Sequence, residues 1–245
     1  MKSRLDVYLS ENNIVKSRSL AATLVKQGSV SVNGKICVKS SFLVGDEDRV
    51  EIIGEMPKYV GRGGLKLEKA LDYYKLHLDG LVALDIGAST GGFTDCMLQN
   101  GADKVYSVDV GTNQLDEKLR NDSRVISMEK TDIRNCIGVI PEVDFISIDV
   151  SFISLKLILP AAFSLLKEGG ECVALIKPQF EAGKAHLSKN GIVRDTKIHK
   201  KVCEEISAFA VSIGFTAYDT IMSPIAGGDG NTEYLILLRR TKAGE

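Results

Sequence analysis

Leu81-Val-Ala-Leu-Asp-Ile-Gly-Ala-Ser-Thr-Gly-Gly-Phe-Thr94 is the stretch from which the fold can be read. Val82 to Ile86 is a short apolar run of the kind that forms a buried strand. It enters a glycine-rich turn and then a helix starting near Gly91. Gly87, Gly91 and Gly92 let the chain turn sharply and approach a ligand closely, while the new helix points free N–H groups at it. The Gly-x-Gly-x-x-Gly fingerprint of dinucleotide folds is absent. A tight strand-to-helix turn in an α/β protein that binds nothing there would use the same glycines.

The chain has 245 residues, enough for one large domain or for one domain with a small module. No run of about eighteen apolar residues occurs, so no membrane helix is expected. The beginning, Met-Lys-Ser-Arg-Leu-Asp, lacks the apolar centre of a signal peptide. Its five cysteines, Cys37, Cys96, Cys136, Cys172 and Cys203, are scattered and form no Cys-x-x-Cys. A disulfide framework is therefore not expected, and a reducing, cytoplasmic setting is. His77, His186 and His199 have no ligand spacing, and no metal is expected. The formal net charge of -1 disfavours indiscriminate nucleic-acid binding, but residues 1–44 carry a local excess of +5.

Those first residues read as a small α+β module, residues 1–54. Leu5 and Leu9 suggest a short helix ended by Asn12-Asn13. Ser17 is placed as the N-cap of a second helix with Leu20, Ala21, Leu24 and Val25 inward, and Gly28 follows its end. Val30-Ser-Val32, the Asn33-Gly34 hairpin turn, Lys35 to Val38 and Val50 to Ile53 supply strands. A helix pair, a glycine and Val-x-Val-Asn-Gly-Lys, with Arg4-Leu5-Asp6 and Ser17-Arg18, resemble the S-four RNA-binding module. The resemblance covers about fifty residues and implies basic side chains set against RNA phosphates, with binding that weakens as salt rises. Arg4, Lys16, Arg18 and Lys26 are the candidates, together with Arg62 and Lys69 beyond the module. Residues 55–64, rich in glycine and holding Pro57, read as a linker.

From residue 65 to 245 strands and helices alternate, which predicts a mostly parallel seven-stranded α/β sheet. Leu65 to Leu76 is an amphipathic helix with Leu67, Ala70, Leu71 and Tyr74 inward. Strands are expected at Lys104–Val110, Val125–Met128, Val143–Asp149 and Glu171–Ile176, with helices at Leu155–Lys167 and Ile198–Ile213. Phe215–Met222 and Tyr234–Arg240 would add a closing pair. Lys184 to Lys189 reads as a basic surface loop. Asp-x-Gly-x-x-x-Gly-Gly resembles the first motif of S-adenosylmethionine-dependent methyltransferases, which implies a Rossmann-like class I methyltransferase fold. The cofactor candidates are Asp85, Gly87, Ala88, Ser89, Gly91, Gly92 and Phe93, with Asp109, Asp132 and Asp149 at later strand ends. Asp109 lies 22 positions after Gly87, a spacing suited to taking ribose hydroxyls, and Asp132 is placed near an adenine amino group or as a loop cap.

Asp149 and Lys177 stand at predicted strand ends, where buried charges must be paired. Lys66, Asp149, Lys177 and Glu233 match the Lys-Asp-Lys-Glu tetrad of FtsJ-like ribose 2′-O-methyltransferases. Arg62-Gly-Gly-Leu-Lys-Leu67, Asp149-Val-Ser-Phe-Ile-Ser154 and Lys177-Pro-Gln-Phe-Glu181, with the glycine turn, resemble the TlyA family over nearly the whole chain. That resemblance implies methyl transfer from S-adenosylmethionine to a cytidine 2′-hydroxyl of ribosomal RNA. A ribose hydroxyl needs a base to become a nucleophile, and a lysine serves when burial and a neighbouring cation lower its pKa. Lys177 is the candidate base, Lys66 its helper, and Asp149 and Glu233 their orienting partners.

One segment departs from the family. Gly111-Thr-Asn-Gln-Leu-Asp-Glu117 replaces the Gly-Tyr-Gly-Gln-Leu-x-Trp of many members, which puts the adenosine side of the cofactor site in question. Three other readings stand beside this one. Asp149-Val-Ser-Phe152 imitates the Asp-Pro-Pro-Tyr of base amino-methyltransferases, without the prolines. Members of the family have been called haemolysins, although no amphipathic or apolar membrane segment is evident. The third reading is a ribosome-binding protein that keeps the cofactor fold without activity.

Overall fold

The computed structural model describes residues 2–15, 17–54, 56–227 and 230–241. Contacts divide the chain into two compact units, Met1–Lys58 and Tyr59–Glu245.

In the first unit, β1 (Ser3–Arg4) leads into α1 (Leu5–Glu11), and α2 (Arg18–Lys26) follows. The Ser17 hydroxyl accepts a hydrogen bond from the Leu20 N–H at 3.2 Å, as an N-cap should. β2 (Val30–Val32) pairs with β3 (Lys35–Ile36) around Asn33 and Gly34, both at positive φ, which two-residue hairpin turns favour. β4 (Leu43–Val44) pairs with β1, and β5 (Val50–Ile52) with β2. Leu5, Leu9, Ala21, Leu24, Val25 and Val30 form its fully buried core.

The second unit holds α3 (Gly64–Tyr74), β6 (Val82–Ile86), α4 (Gly92–Gln99), β7 (Lys104–Val108), α5 (Glu117–Arg120) and β8 (Val125–Met128). It continues with β9 (Val143–Ile148), α6 (Leu159–Leu165), β10 (Leu166–Ile176), α7 (Pro178–Glu181), α8 (Thr196–Ser212), β11 (Phe215–Met222) and β12 (Tyr234–Arg240). The sheet runs β11-β12-β10-β9-β6-β7-β8. Five strands are parallel, while β12 runs antiparallel to β10 and β11 antiparallel to β12. Apolar side chains cover both faces: Ile146, Ile148 and Leu159 lie in one layer, Phe145, Met97 and Leu67 in the other.

Three expectations change. The helix expected over Leu155–Lys167 is a 3-10 turn at Leu155–Leu157 followed by α6, with Pro160 in its first turn. Proline lacks the N–H that a continuous helix would need there. The strand after α6 begins at Leu166 rather than Glu171, with a register shift between the two and Gly169 at positive φ. The expected linker 55–64 is also divided. Tyr59 is only 3% exposed and packs in the core of the second unit, and Gly64 already opens α3.

Candidate active site

Because β6, β7, β9 and β10 are parallel, their carboxyl ends share one edge of the sheet, where ligands of such folds bind. Two adjoining clefts lie there, with Gly87, Ser89, Asp149 and Ser151 lining both.

The larger cleft, about 490 Å³, has apolar walls that include Val110, Ile133, Val150 and Ile158. Asp109, just past β7, accepts hydrogen bonds from the Ser89 N–H at 2.7 Å and the Gly111 N–H at 2.6 Å. This acid therefore fixes the glycine turn as well as facing the cleft. Asp132 caps Arg134 N–H at 3.0 Å and pairs with the Arg134 guanidinium at 2.6 Å, which holds its carboxyl below the usual range. Among the described residues lining this cleft Arg134 is the one cation, and it is paired. Apolar walls, three acids (Asp109, Asp132 and Asp149) and no free cation suit an uncharged purine and ribose better than a phosphate. These residues fit the adenosine of S-adenosylmethionine.

The smaller cleft, about 270 Å³, is polar and includes Arg62, Lys66, Asp149, Lys177 and Gly227. Lys66 arrives from α3, Asp149 from the end of β9, Lys177 from the end of β10, and Glu233 from the residue before β12. Lys66 Nζ donates to Glu233 Oε2 at 2.6 Å and stands 3.9 Å from Asp149 Oδ2. Lys177 Nζ donates to the Ser151 hydroxyl at 2.8 Å and lies 2.6 Å from Asp149 Oδ1. The last approach is an ion pair without an aligned hydrogen bond, since Asp149 Oδ1 has no directed partner. Lys66, Lys177 and Glu233 are buried, and two cations balance two anions. All four residues singled out in the sequence thus meet in and behind the smaller cleft, beside the larger one.

Other expected residues are placed differently. Asp85 is fully buried beneath the turn and lines neither cleft. Its carboxylate accepts from the Thr94 hydroxyl at 2.7 Å and the Ser147 hydroxyl at 3.0 Å. Burial pushes its pKa up to about 7, and nearby Asp149 adds to the rise against those two hydrogen bonds. Gly91 lines neither cleft, and a Cβ there would strike Leu119. Gly92 and Phe93 border the smaller cleft, where Gly92 lets two helix starts meet: a Cβ on it would lie 2.9 Å from Gly64 N. Gly87 and Ser89 border both clefts and Ala88 the smaller one. Arg62 is exposed and lines the smaller cleft with Lys66, whereas Lys69 is exposed outside it.

In the first unit Arg4 and Arg18 converge on buried Asp6, at 2.9 and 3.1 Å. The Arg4 hydrogen bond is the main force holding the Asp6 carboxyl near 2. Lys26 is exposed, and Lys16 lies outside the described residues. The sequence did not point to Ser151 as the partner of Lys177, nor to Glu181, which accepts from Ser154 Oγ at 2.6 Å and Leu155 N–H at 2.8 Å. Glu181 thereby ties the chain after β9 to the chain after β10. Its place inside the quoted Lys177-Pro-Gln-Phe-Glu181 stretch was the available signal.

Comparison with known proteins shows what the chain is similar to. Residues 59–240 match the FtsJ-like methyltransferase family and residues 3–50 match the S4 domain. A Bacillus subtilis protein provisionally named rRNA methyltransferase YqxC is 45% identical over 249 residues, covering 100% of this chain and 88% of the relative. The 16S/23S rRNA (cytidine-2′-O)-methyltransferase TlyA of Mycobacterium tuberculosis is 36% identical over 244 residues, covering 97% and 90%. A solved structure from Streptococcus thermophilus, provisionally described as a hemolysin, has a TM-score of 0.78 at 49% identity and covers 98% of this chain and 89% of that one.

Proposed function

The chain belongs to the FtsJ-like methyltransferase family, and on that premise we propose that it methylates the ribose 2′-hydroxyl of a cytidine in ribosomal RNA. The cofactor is S-adenosylmethionine, and the work is placed in the cytoplasm, where ribosomal subunits are found. The observation that carries the reading is the pair of lysine–carboxylate contacts, Lys66–Glu233 and Lys177–Asp149, facing one cleft beside the glycine turn.

Bound S-adenosylmethionine supplies an electrophilic methyl group on a sulfonium. The residues of this chain prepare the other reactant. Lys66, fixed by Glu233, donates a hydrogen bond to the ribose oxygen and holds it in line with the methyl group. Lys177 Nζ, held between Asp149 and Ser151, is the base: it first gives up its own proton to solvent, and the lone pair so freed takes the hydroxyl proton as the ribose oxygen accepts the methyl group. Asp149 touches both lysines at 2.6 and 3.9 Å and keeps the acceptor pocket close to neutral. The S4 domain supplies RNA contacts through Arg4, Arg18 and Lys26, with Arg62 adding one at the cleft.

The test is methylation of isolated ribosomal subunits by the purified protein with S-adenosylmethionine, followed by nuclease digestion and mass spectrometry. The expected product is 2′-O-methylcytidine. A methyl group on the cytosine base instead would favour the amino-methyltransferase chemistry. Among the described residues no helix is long and apolar enough to cross a membrane. Lysis of red cells by the protein without cofactor, with no RNA methylation, would overturn the enzyme reading.

A further inference from the structure

Val193 lies in the connection between α7 and α8, yet it is only 2% exposed and side chains hold both of its backbone polar groups. Its N–H donates to Asn231 Oδ1 at 3.3 Å, and its carbonyl faces His199 Nε2 at 2.8 Å. A carbonyl only accepts, so Nε2 carries the proton; in the neutral ring Nδ1 is then the acceptor for the Tyr234 hydroxyl, 3.0 Å away. Asn231 Nδ2 donates to the Gly191 carbonyl at 3.3 Å. Asn231 and His199 are both buried, so these bonds are shielded from water and costly to lose.

Asn231 and Tyr234 flank Glu233 in the chain. The grip on Val193 therefore anchors the backbone on both sides of the carboxylate that holds Lys66. A second contact tightens the same loop. The Gly227 N–H donates to the Asn231 carbonyl at 2.9 Å, and Gly227 lies so close to Glu233 that a Cβ there would be 2.6 Å from Oε1. Glu233 stands just before β12, where its carbonyl still takes the Ser223 N–H at 2.9 Å, and on its amino-terminal side the chain is held by the Asn231 contacts instead of by paired strands.

We propose that Asn231 and His199 are positioning residues for methyl transfer, which act by gripping Val193 and so fixing Glu233 and the aim of Lys66. This rests on the assignment of Lys66 and Glu233 to the reacting site. Loss of the grip leaves all four charged residues in the chain but lets Glu233 drift, and a displacement of about 1 Å in a reacting group is worth up to ~10²-fold in rate.

A double-mutant cycle on the full chain decides it. Single-turnover methyl transfer to ribosomal subunits, with both reactants saturating, is compared for wild type, Asn231→Ala, Glu233→Gln and the double variant, alongside melting temperatures. Asn231→Ala is expected to slow the step about tenfold with KM for RNA little changed, but to cost less than about twofold once Glu233 is already Gln. In the same assay His199→Gln, whose amide can still donate to the Val193 carbonyl, should recover much of what His199→Ala loses. Equal losses in both Glu233 backgrounds, or losses that follow only the folded fraction, overturn the proposal. If Asn231→Ala fails to fold, the same cycle is run with His199→Ala. A wild-type rate for Glu233→Gln would instead remove Glu233 from the site, a failure of the assignment and not of the grip.

Discussion

The glycine turn and the lysine–carboxylate cluster border the same clefts but are built in opposite ways. The turn is a run of ten residues, 85–94, and the acid that braces it from the next strand satisfies backbone groups: Asp109 takes the Ser89 and Gly111 N–H groups. The cluster gathers side chains from four places, and Lys66 and Glu233 are 167 positions apart. Two buried carboxylates make the contrast concrete. Glu233 is matched by a lysine, whereas Asp85 is held by neutral donors, among them the hydroxyls of Thr94 and Ser147, and burial pushes its pKa up to about 7. The turn is made of backbone shape, and the cluster is made of charge placed by the whole domain.

The change that should separate the two most strongly is Lys177→Ala. It leaves the turn and the larger cleft intact, so binding of S-adenosylmethionine by calorimetry should stay near wild type. Methyl transfer should fall by ~10²–10⁴-fold, the usual worth of an acid–base group, in a single-turnover assay. A matching loss of cofactor affinity would mean that the two regions are one site that cannot be dissected.

Gly87→Ala attacks the other region. Gly87 has φ +86, and a Cβ there would lie 2.5 Å from the Asp149 carbonyl oxygen. The left-handed conformation costs an L-residue ~1–2 kcal/mol, and the collision adds about 1–3 kcal/mol of overpacking. The variant should melt lower and lose cofactor affinity and turnover together, because the strain pushes the turn and Asp149 apart. Retained affinity with lost turnover would show that Gly87 serves the cluster alone. The glycine was readable in the sequence as a sharp turn, but its close neighbour is a backbone carbonyl and not a ligand.

That difference marks how far the sequence could be read. Signals confined to a few residues held: the Ser17 cap, the Asn33-Gly34 turn, and the apolar runs at Val82–Ile86 and Val143–Ile148. The four cluster residues were legible because each stands beside a strand or helix with a clear pattern, and because their combination resembles a known tetrad. What failed depended on distant partners. Pro57 and the glycines around Tyr59 look like a linker, yet Tyr59 is in the core of the second unit. Asp85 looks like a cofactor acid, but its depth follows from α4 and β9 closing over it through Thr94 and Ser147. Ser151 lies inside a quoted motif, but its bond to Lys177, like that of Asn231 to Val193, joins segments that only the folded domain brings together. The His199–Val193 bond spans six positions, from a connection without a repeating pattern into α8.

The smallest of these effects is the most specific to the turn. Burial raises the Asp85 pKa to about 7 in the folded protein, while an ordinary aspartate carboxyl loses its proton near 3.8. Between those two values the folded state binds more protons than the unfolded one. Stability from this group is therefore greatest at the acid end, declines as pH rises through that window, and is level above it. Asp85→Asn removes the titration while keeping the shape. The difference in stability between variant and wild type should shift in favour of the variant with rising pH, by up to about 1.4 kcal/mol per pH unit, and flatten above neutrality. Denaturant unfolding across that range measures it, and parallel profiles would mean that Asp85 is ionised when folded despite lacking a cation. Glu233→Gln offers the matching control: it takes from buried Lys66 the carboxylate at 2.6 Å and leaves it Asp149 at 3.9 Å, so it should lower stability outright, whereas Asp85→Asn removes a charge that had no cation to match it among the described residues.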